Sequence, residues 1–288
     1  MGKFASRYAA GLTAGVICAA AALWTAFTAE AASNSSAIPD FSSNNTGWDG
    51  NGQNEFMPPR SGLGPVSDDP AHPYVSNFAA RRTGQQPTWR VADLNNPNLK
   101  PWVVEALRKA NADALAGKAM FTREARCWPT GVPAMLLNPG QLYFVQTPKE
   151  VWILQQADHR VRRIRLDQPH SANPKPSWYG ESVGHYEGGD TLMVDTIGFN
   201  DKSFVDSYRT PHTTQLHVAE RFKLIEGGKA LEVTFTVDDP GAFNAPWSGG
   251  KRWERTRQAL TEEACAENNA DYFSYEVEPI PQAARPDF

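Results

Sequence analysis

The chain has 288 residues, of which 41% are hydrophobic and 21% charged, so it can build a packed core and does not have the composition of a disordered chain. With 28 Lys and Arg against 32 Asp and Glu, the formal net charge is -4, and no basic run is present. This balance argues against a dedicated nucleic-acid-binding protein. Gly and Pro, 22 of each, favour a β-rich protein with many turns over a helical bundle.

Residues 1–31 have the pattern of a signal peptide. Lys3 and Arg7 form a positive head, a small and apolar run covers residues 9–29, and Ala29-Glu30-Ala31 fits the small-x-small cleavage pattern. We therefore expect a mature chain that starts near Ala32, in the periplasm or outside the cell, with no stable membrane span after cleavage. Because the apolar run is about long enough to span a bilayer, an uncleaved anchor is the alternative.

Cleavage leaves two cysteines, Cys127 and Cys265, in a compartment that permits oxidation. The prediction is a disulfide between them. A thiol nucleophile would need a polarising His beside one of them, and neither segment supplies it. A zinc site is weakly supported because the chain has no C-x-x-C pair.

The mature chain divides into four stretches by pattern. Residues 32–95 are rich in Asn, Ser, Gly, Pro and Asp, which predicts a loop-rich N-terminal arm. Residues 96–140 form a helix and connector, in which Pro101 suits the first helical turn and apolar residues recur at helical spacing: Val104, Leu107, Ala110 and Leu115. Residues 141–260 are predicted to be a β-barrel domain, and residues 261–288 a C-terminal tail.

From Gln141 the hydrophobic period changes to two, which indicates strands. The eight predicted strands are 142–146, 151–156, 161–166, 178–187, 191–198, 216–224, 230–237 and 252–259. Short connections between them have the composition of hairpin turns. A mainly β fold follows, in which an eight-stranded antiparallel meander closes into a lipocalin-like barrel that can hold one ligand, with the arm and one helix outside it. A twisted sandwich is the alternative.

Alternate loops of a meander lie at the same end, so the long loops 167–177, 199–215 and 238–251 should gather at one mouth. They carry most of the candidate site residues, and His217, a further catalytic candidate, lies at the same end. We expect His212 or His170 to transfer a proton. Asp239 or Asp201 would orient that histidine. Ligand contacts are expected from Arg162, Asn200, Phe243, Trp247 and Trp178.

The alternation also places charged residues among apolar neighbours on predicted inward faces. These residues are Arg162, Asp195 and Glu220. Burial would raise the pKa of a lone carboxyl and make it a general acid, whereas an adjacent Arg would hold it ionised. Asp195 and Glu220 are therefore further catalytic candidates, and a structural ion cluster inside the barrel is the alternative.

Several familiar motifs are absent from the sequence. It has no G-x-S-x-G elbow, no G-x-x-x-x-G-K-[ST] loop and no H-E-x-x-H helix. We therefore expect no organic cofactor. A divalent metal held by His170, His212 and His217 is the alternative at the predicted mouth.

Four strings form a longer pattern: DHRVRRI at 158–164, GDTLMVDTIGFND at 189–201, LHVAER at 216–221 and DDP at 238–240. The pattern resembles a broad family of exported, largely uncharacterised bacterial β-rich proteins and covers roughly residues 127–257. The turn Glu187-Gly188-Gly189-Asp190 carries one glycine more than the family pattern, which lengthens the turn. The resemblance implies export and a β-rich structure, and no activity that carries over residue by residue.

The expected function is that of an exported enzyme acting on a small organic molecule in a barrel pocket. It would use cofactor-free acid/base chemistry of the lyase, hydratase or isomerase type. The alternatives are a periplasmic lipocalin-like carrier of an apolar ligand, a metal-assisted lyase or hydrolase, and an envelope-associated interaction module whose partner-binding part is the arm. The substrate and the oligomeric state stay open.

Overall fold

A computed structural model describes residues 38–42, 47–52, 54–117, 127–138, 140–157 and 160–262, with only the backbone for residues 77 and 78. The predicted signal peptide and Cys265 lie outside these residues, so cleavage and the disulfide with Cys127 remain predictions. Within the described ranges, no helix is long and apolar enough to cross a membrane.

The described residues contain nine β-strands that form one closed barrel, in which the last strand pairs with the first. The strands are β1 (Gly47–Asp49), β2 (Gln141–Gln146), β3 (Glu150–Gln155), β4 (Arg160–Leu166), β5 (Glu181–Glu187), β6 (Thr191–Ile197), β7 (His217–Ile225), β8 (Ala230–Asp238) and β9 (Trp247–Thr256). The predicted barrel is confirmed, since β2 to β9 overlap the eight predicted strands.

The ninth strand, β1, comes from the predicted N-terminal arm. It closes the barrel because Trp48 pairs with Leu142 of β2 on one side and with Arg255 of β9 on the other. The indole of Trp48 is fully buried, and its Nε1 donates to the Phe41 carbonyl at 2.9 Å. Three residues are too short a strand to show an alternating pattern, which is why the sequence does not reveal it.

One strand pair departs from the predicted antiparallel meander. β4 and β5 are parallel, with Ile164 opposite Ser182 and Leu166 opposite Gly184, whereas all other paired strands are antiparallel. The connection of residues 167–180 must therefore return from one end of the barrel towards the other. Of the three long loops expected at one mouth, the two that follow β6 and β8 share an end, and this one crosses between the ends.

Two α-helices lie in the described part of the chain, α1 (Asn77–Thr83) and α2 (Pro101–Leu115). Helix α2 begins at Pro101 as the sequence predicts, because proline at the first helical position loses no hydrogen bond. Its buried face agrees with the predicted one at Leu107 and differs from it at Leu115, which is exposed. Asn111 on that face exchanges hydrogen bonds with Ala92, which fixes the preceding segment against the helix.

The inward faces of the strands are filled by large side chains. The buried inward residues include Trp48, Phe144, Ile153, Ile164, Val194, Phe222, Val233 and Trp253. A barrel of about eight strands has an interior just wide enough for side chains to fill. The ligand pocket expected inside the barrel is thus occupied by a packed core at these positions, and the candidate site lies elsewhere.

Candidate functional site on the outer wall

Asp195 points out of the barrel rather than into it. In β6, Leu192, Val194 and Thr196 are buried, so the alternation turns Asp195 to the outside, where its side chain is 44% exposed. The inward position predicted for Asp195 is therefore wrong. Its apolar outward neighbours misled the pattern, because they cover the outer wall instead of the core.

Three predicted site residues and one unpredicted residue join on this outer wall. Asp195 Oδ1 lies 2.6 Å from His217 Nε2, and its Oδ2 lies 2.8 Å from His170 Nε2. His170 Nδ1 lies 3.1 Å from Glu181 Oε1. We call His170, Glu181, Asp195 and His217 the outer-wall network. Arg165 extends it with an ion pair to Glu181 at 3.0 Å.

The parallel pairing of β4 and β5 explains how His170 reaches this network. His170 lies three residues after Asp167, whose backbone turns with φ of 54° and donates from its N–H to Gly184. The chain then runs back towards the start of β5, where Glu181 lies. Glu181 accepts from the Ser171 backbone N–H at 2.6 Å, so one carboxylate holds both the loop and the ring of His170.

His170 lies between two carboxylates and is fixed in orientation. Both of its ring contacts are hydrogen bonds at once only when both nitrogens carry a hydrogen, because a carboxylate accepts and does not donate. The side chain is 20% exposed, as is Glu181. His170 therefore holds Asp195 in place from the side opposite to His217.

Both carboxyl groups of the network are ionised at neutral pH. Partial burial raises the pKa of Asp195, but the hydrogen bonds from His217 and His170 outweigh it and hold that pKa below the ordinary 3.8. For Glu181, partial burial also raises the pKa. Hydrogen bonds from Ser171 and His170 and the charge of Arg165 together lower it below the ordinary 4.5.

His217 is the histidine of the network that is more exposed to a ligand. Its side chain is 43% exposed, and the structure shows a hydrogen bond at Nε2 but, within the described residues, no partner for Nδ1. Because Asp195 accepts from Nε2–H, the neutral ring presents the lone pair of Nδ1. This arrangement is that of a general base oriented by a carboxylate.

A depression of about 480 Å³ lies beside Asp195 on the same wall, and we call it the outer groove. Its lining residues are Asp167, Gln168, Val183, Gly184, His185, Met193, Val194, Asp195 and Ala219. The lining combines apolar side chains with the Asp195 carboxylate, which suits a small organic molecule that has an apolar body and a polar group.

His212, expected to transfer a proton, is buried away from solvent. Its Nδ1 lies 2.9 Å from the Thr213 carbonyl oxygen, so this nitrogen donates, and Nε2 accepts from the Ser203 hydroxyl at 2.8 Å. Gly131 covers the pair, because a Cβ there would meet Ser203 Oγ at 2.3 Å. Sequence reasoning missed Ser203, which lies in an irregular loop with no motif around it.

Asp239, expected to orient a catalytic histidine, is buried, and its carboxylate connects two loops by hydrogen bonds. Its Oδ2 accepts from the Thr213 N–H at 2.6 Å, and its Oδ1 accepts from the Thr213 hydroxyl at 2.7 Å and the Gly241 N–H at 3.0 Å. It therefore fixes Thr213, whose carbonyl binds His212. The contact between the predicted pair runs through the backbone of Thr213.

Arg162 and Glu220 face inward, as predicted, and pair with each other. Arg162 Nη1 donates to Glu220 Oε1 at 2.9 Å, and its Nη2 makes a second bond to Oε2. Ser182 and Thr196 accept the remaining Arg162 bonds at 3.1 and 2.8 Å. This geometry is that of a structural ion cluster inside the barrel, which was the alternative to a catalytic role for Glu220.

The remaining predicted residues lie apart from the network. Asn200 accepts from the Lys202 N–H at 3.0 Å within a turn, and Asp201 is exposed. The rings of Phe243 and Trp247 are buried with centroids 5.8 Å apart, so they do not line an entrance. Trp178 packs against Trp128 at 5.6 Å.

Among the described residues, no group of three or more His, Cys, Asp or Glu side chains is arranged to hold a metal ion. The chain matches no family model, no curated protein and no solved structure in the three comparisons made. The family resemblance carried by the four strings therefore remains a prediction.

Proposed function

We propose that the protein is an exported enzyme that carries out cofactor-free acid/base chemistry at the outer-wall network. The reaction would be an elimination, hydration or isomerisation of a small organic molecule. The observation that carries the proposal is the 2.6 Å contact between His217 Nε2 and Asp195 Oδ1 on a ring whose side chain is 43% exposed and whose Nδ1 has no partner among the described residues. The predicted reaction class is retained, and the site moves from the barrel interior to its outer wall.

The proposed roles follow from the contacts. His217 Nδ1 takes a proton from the substrate, and Asp195 stabilises the imidazolium that forms. His170 and Glu181 hold the Asp195 carboxylate at the angle that this hydrogen bond needs. In an elimination, the electron pair of the broken C–H bond forms the double bond while the leaving group departs with its own pair. In an isomerisation, the proton returns to another carbon.

The outer groove supports the choice of substrate class. Val183, Met193 and Ala219 provide apolar contacts, and Asp195 of the network also lines the groove. A molecule with an apolar body and an activated C–H at its polar end would place that bond beside the network. The groove is of a size for a small ligand rather than for a polymer.

The experiment is a screen for proton transfer in heavy water. The mature chain is incubated in D₂O with small carbonyl and hydroxy compounds, and deuterium at carbon or a change of mass is read by NMR and mass spectrometry. For a compound that turns over, His217→Gln should lower kcat/KM by about 100-fold or more, because removing a general base typically costs that much.

His72→Gln is the matched control. His72 is also an exposed histidine held by a carboxylate, with Nδ1 2.8 Å from Asp69 Oδ2, and it lies on the arm. The His72→Gln substitution should leave turnover unchanged. Turnover that survives intact in His217→Gln would contradict the proposal, and so would equal losses in the two variants.

A further inference from the structure

The inner face of β4 carries a second arginine, Arg160, whose Nε and Nη1, unlike the nitrogens of Arg162, have no partner in the part of the chain that the structure describes. Arg160 is 8% exposed, and its Nε and Nη1 are buried with no hydrogen-bond partner in the structure. A guanidinium stays protonated in proteins, so Arg160 keeps its charge. A buried charge without a partner is strongly unfavourable, which points to a group that completes it.

The neighbours of Arg160 are polar and buried. Gln155 lies directly opposite it on β3, which brings their Cβ atoms to about 5 Å. Asn138 Nδ2 donates to Gln155 Oε1 at 2.6 Å and to Thr130 Oγ1 at 3.0 Å. These four side chains, Thr130, Asn138, Gln155 and Arg160, form what we call the polar end of the barrel. The Thr130 hydroxyl accepts from Asn138 and keeps its own hydrogen to donate to an oxyanion.

The charge balance inside the barrel gives the sign of the missing partner. The buried charged residues of the described strands are Arg160, Arg162 and Lys251 on the positive side and Glu220 on the negative side. Glu220 is taken up by Arg162. Lys251 donates to the Leu136 carbonyl at 2.7 Å, and its Nζ lies 5.1 Å from the centre of the Trp253 ring, so its ammonium group has partners within the protein. Arg160 is therefore the charge that needs an anion.

We infer that the polar end of the barrel binds a small oxyanion through Arg160. The ligand chemistry is that of a carboxylate or a phosphate, whose oxygens accept from the two unpartnered N–H groups. Bound there, the anion restores the charge balance of the core and stabilises the folded chain. The site is on the inner face of β4 and is independent of the outer-wall network.

The experiment measures thermal unfolding of the mature chain at pH 7 and constant ionic strength, in sodium chloride, in sodium phosphate and in sodium acetate. A ligand that binds only the folded state raises Tm, by about 5 °C or more when it is a hundredfold above its Kd. We expect such a rise in phosphate, in acetate or in both. A rise in phosphate alone identifies a phosphate site, and a rise in acetate alone a carboxylate site.

Arg160→Met should abolish the rise and should raise Tm in chloride, because it removes an unpaired buried charge. Arg163→Met is the matched control, since Arg163 is also an arginine of β4 and faces solvent beside Glu150. It should respond to the anions as the wild type does. Titration calorimetry of the wild type with the same two anions tests the site even if Arg160→Met does not fold.

The inference is overturned if neither anion raises Tm or releases heat on binding to the wild type. It is equally overturned if folded Arg160→Met responds to the anions as strongly as the wild type does.

Discussion

His212 and His217 lie five residues apart, and their surroundings give them different chemistry. His212 has both ring nitrogens bound, to Ser203 and to Thr213, and is 3% exposed. His217 has one nitrogen bound to Asp195 and its side chain is 43% exposed. The sequence identifies both as candidates and cannot rank them, because their exposure depends on which loop covers which strand end.

The two carboxylates of the outer-wall network predict how stability depends on pH. The pKa of Asp195 and that of Glu181 are lower in the folded protein than the ordinary 3.8 and 4.5. The unfolded chain therefore binds protons first as the pH falls. The stability that these groups contribute is fully present above about pH 5 and is lost as the pH falls through the lowered pKa values.

The double variant Asp195→Asn/Glu181→Gln should therefore lose less stability than the wild type between about pH 5 and pH 2. Urea unfolding across that range measures the difference. Asp201→Asn, a change at an exposed carboxylate on a neighbouring loop, should keep the wild-type slope. If the free energy of unfolding of the double variant fell with pH as steeply as that of the wild type, the network would not be what holds these carboxylates ionised.

Strand direction is the feature of the elements that the sequence did not reveal. Period-two alternation placed β2 to β9 to within a few residues, apart from the ends of β5 and β9, and put Arg162 and Glu220 correctly on the inside. This alternation does not indicate whether two neighbouring strands run parallel or antiparallel. The parallel β4–β5 pair brings His170 to Glu181, so the network could not be assembled from the sequence, although three of its members were named.

The inward pair of β4 and β7 predicts a stability difference between elements. Glu220→Gln should destabilise the protein by about 3–5 kcal/mol, because it leaves the buried Arg162 charge without its partner. Arg162→Met/Glu220→Leu, which removes both charges, should recover most of that loss. Urea unfolding of each variant at pH 7 gives the free energy of unfolding.

Arg163 and Glu150 provide the comparison, since they form an ion pair between the same strand, β4, and β3 on the solvent side. Glu150→Gln should cost much less than Glu220→Gln, because water screens an exposed pair. Equal costs for the two substitutions would mean that the inward pair does not anchor the barrel.

At the scale of the whole molecule, a closed barrel whose central inward positions are filled by side chains leaves its outer wall for catalysis, and the inferred anion site uses only the polar end of the barrel. The barrel class was predictable because eight successive strand patterns with short turns allow few other folds. The packing of the barrel interior could not be predicted, because Phe41 and Trp48 of the N-terminal arm belong to the core and no hydrophobic periodicity marks them in the sequence. With the interior occupied, the outer groove and the outer-wall network form the more accessible place for chemistry.

Asp195 is the residue on which this account depends most, because it binds both histidines. Once a turnover assay is in hand, the deciding measurement is kcat/KM of Asp195→Asn beside that of Asp69→Asn, which alters the carboxylate held by His72. We predict a loss of about 10²- to 10⁴-fold for Asp195→Asn with the fold intact, and no loss for Asp69→Asn. Wild-type activity in Asp195→Asn would contradict an acid/base site on the outer wall.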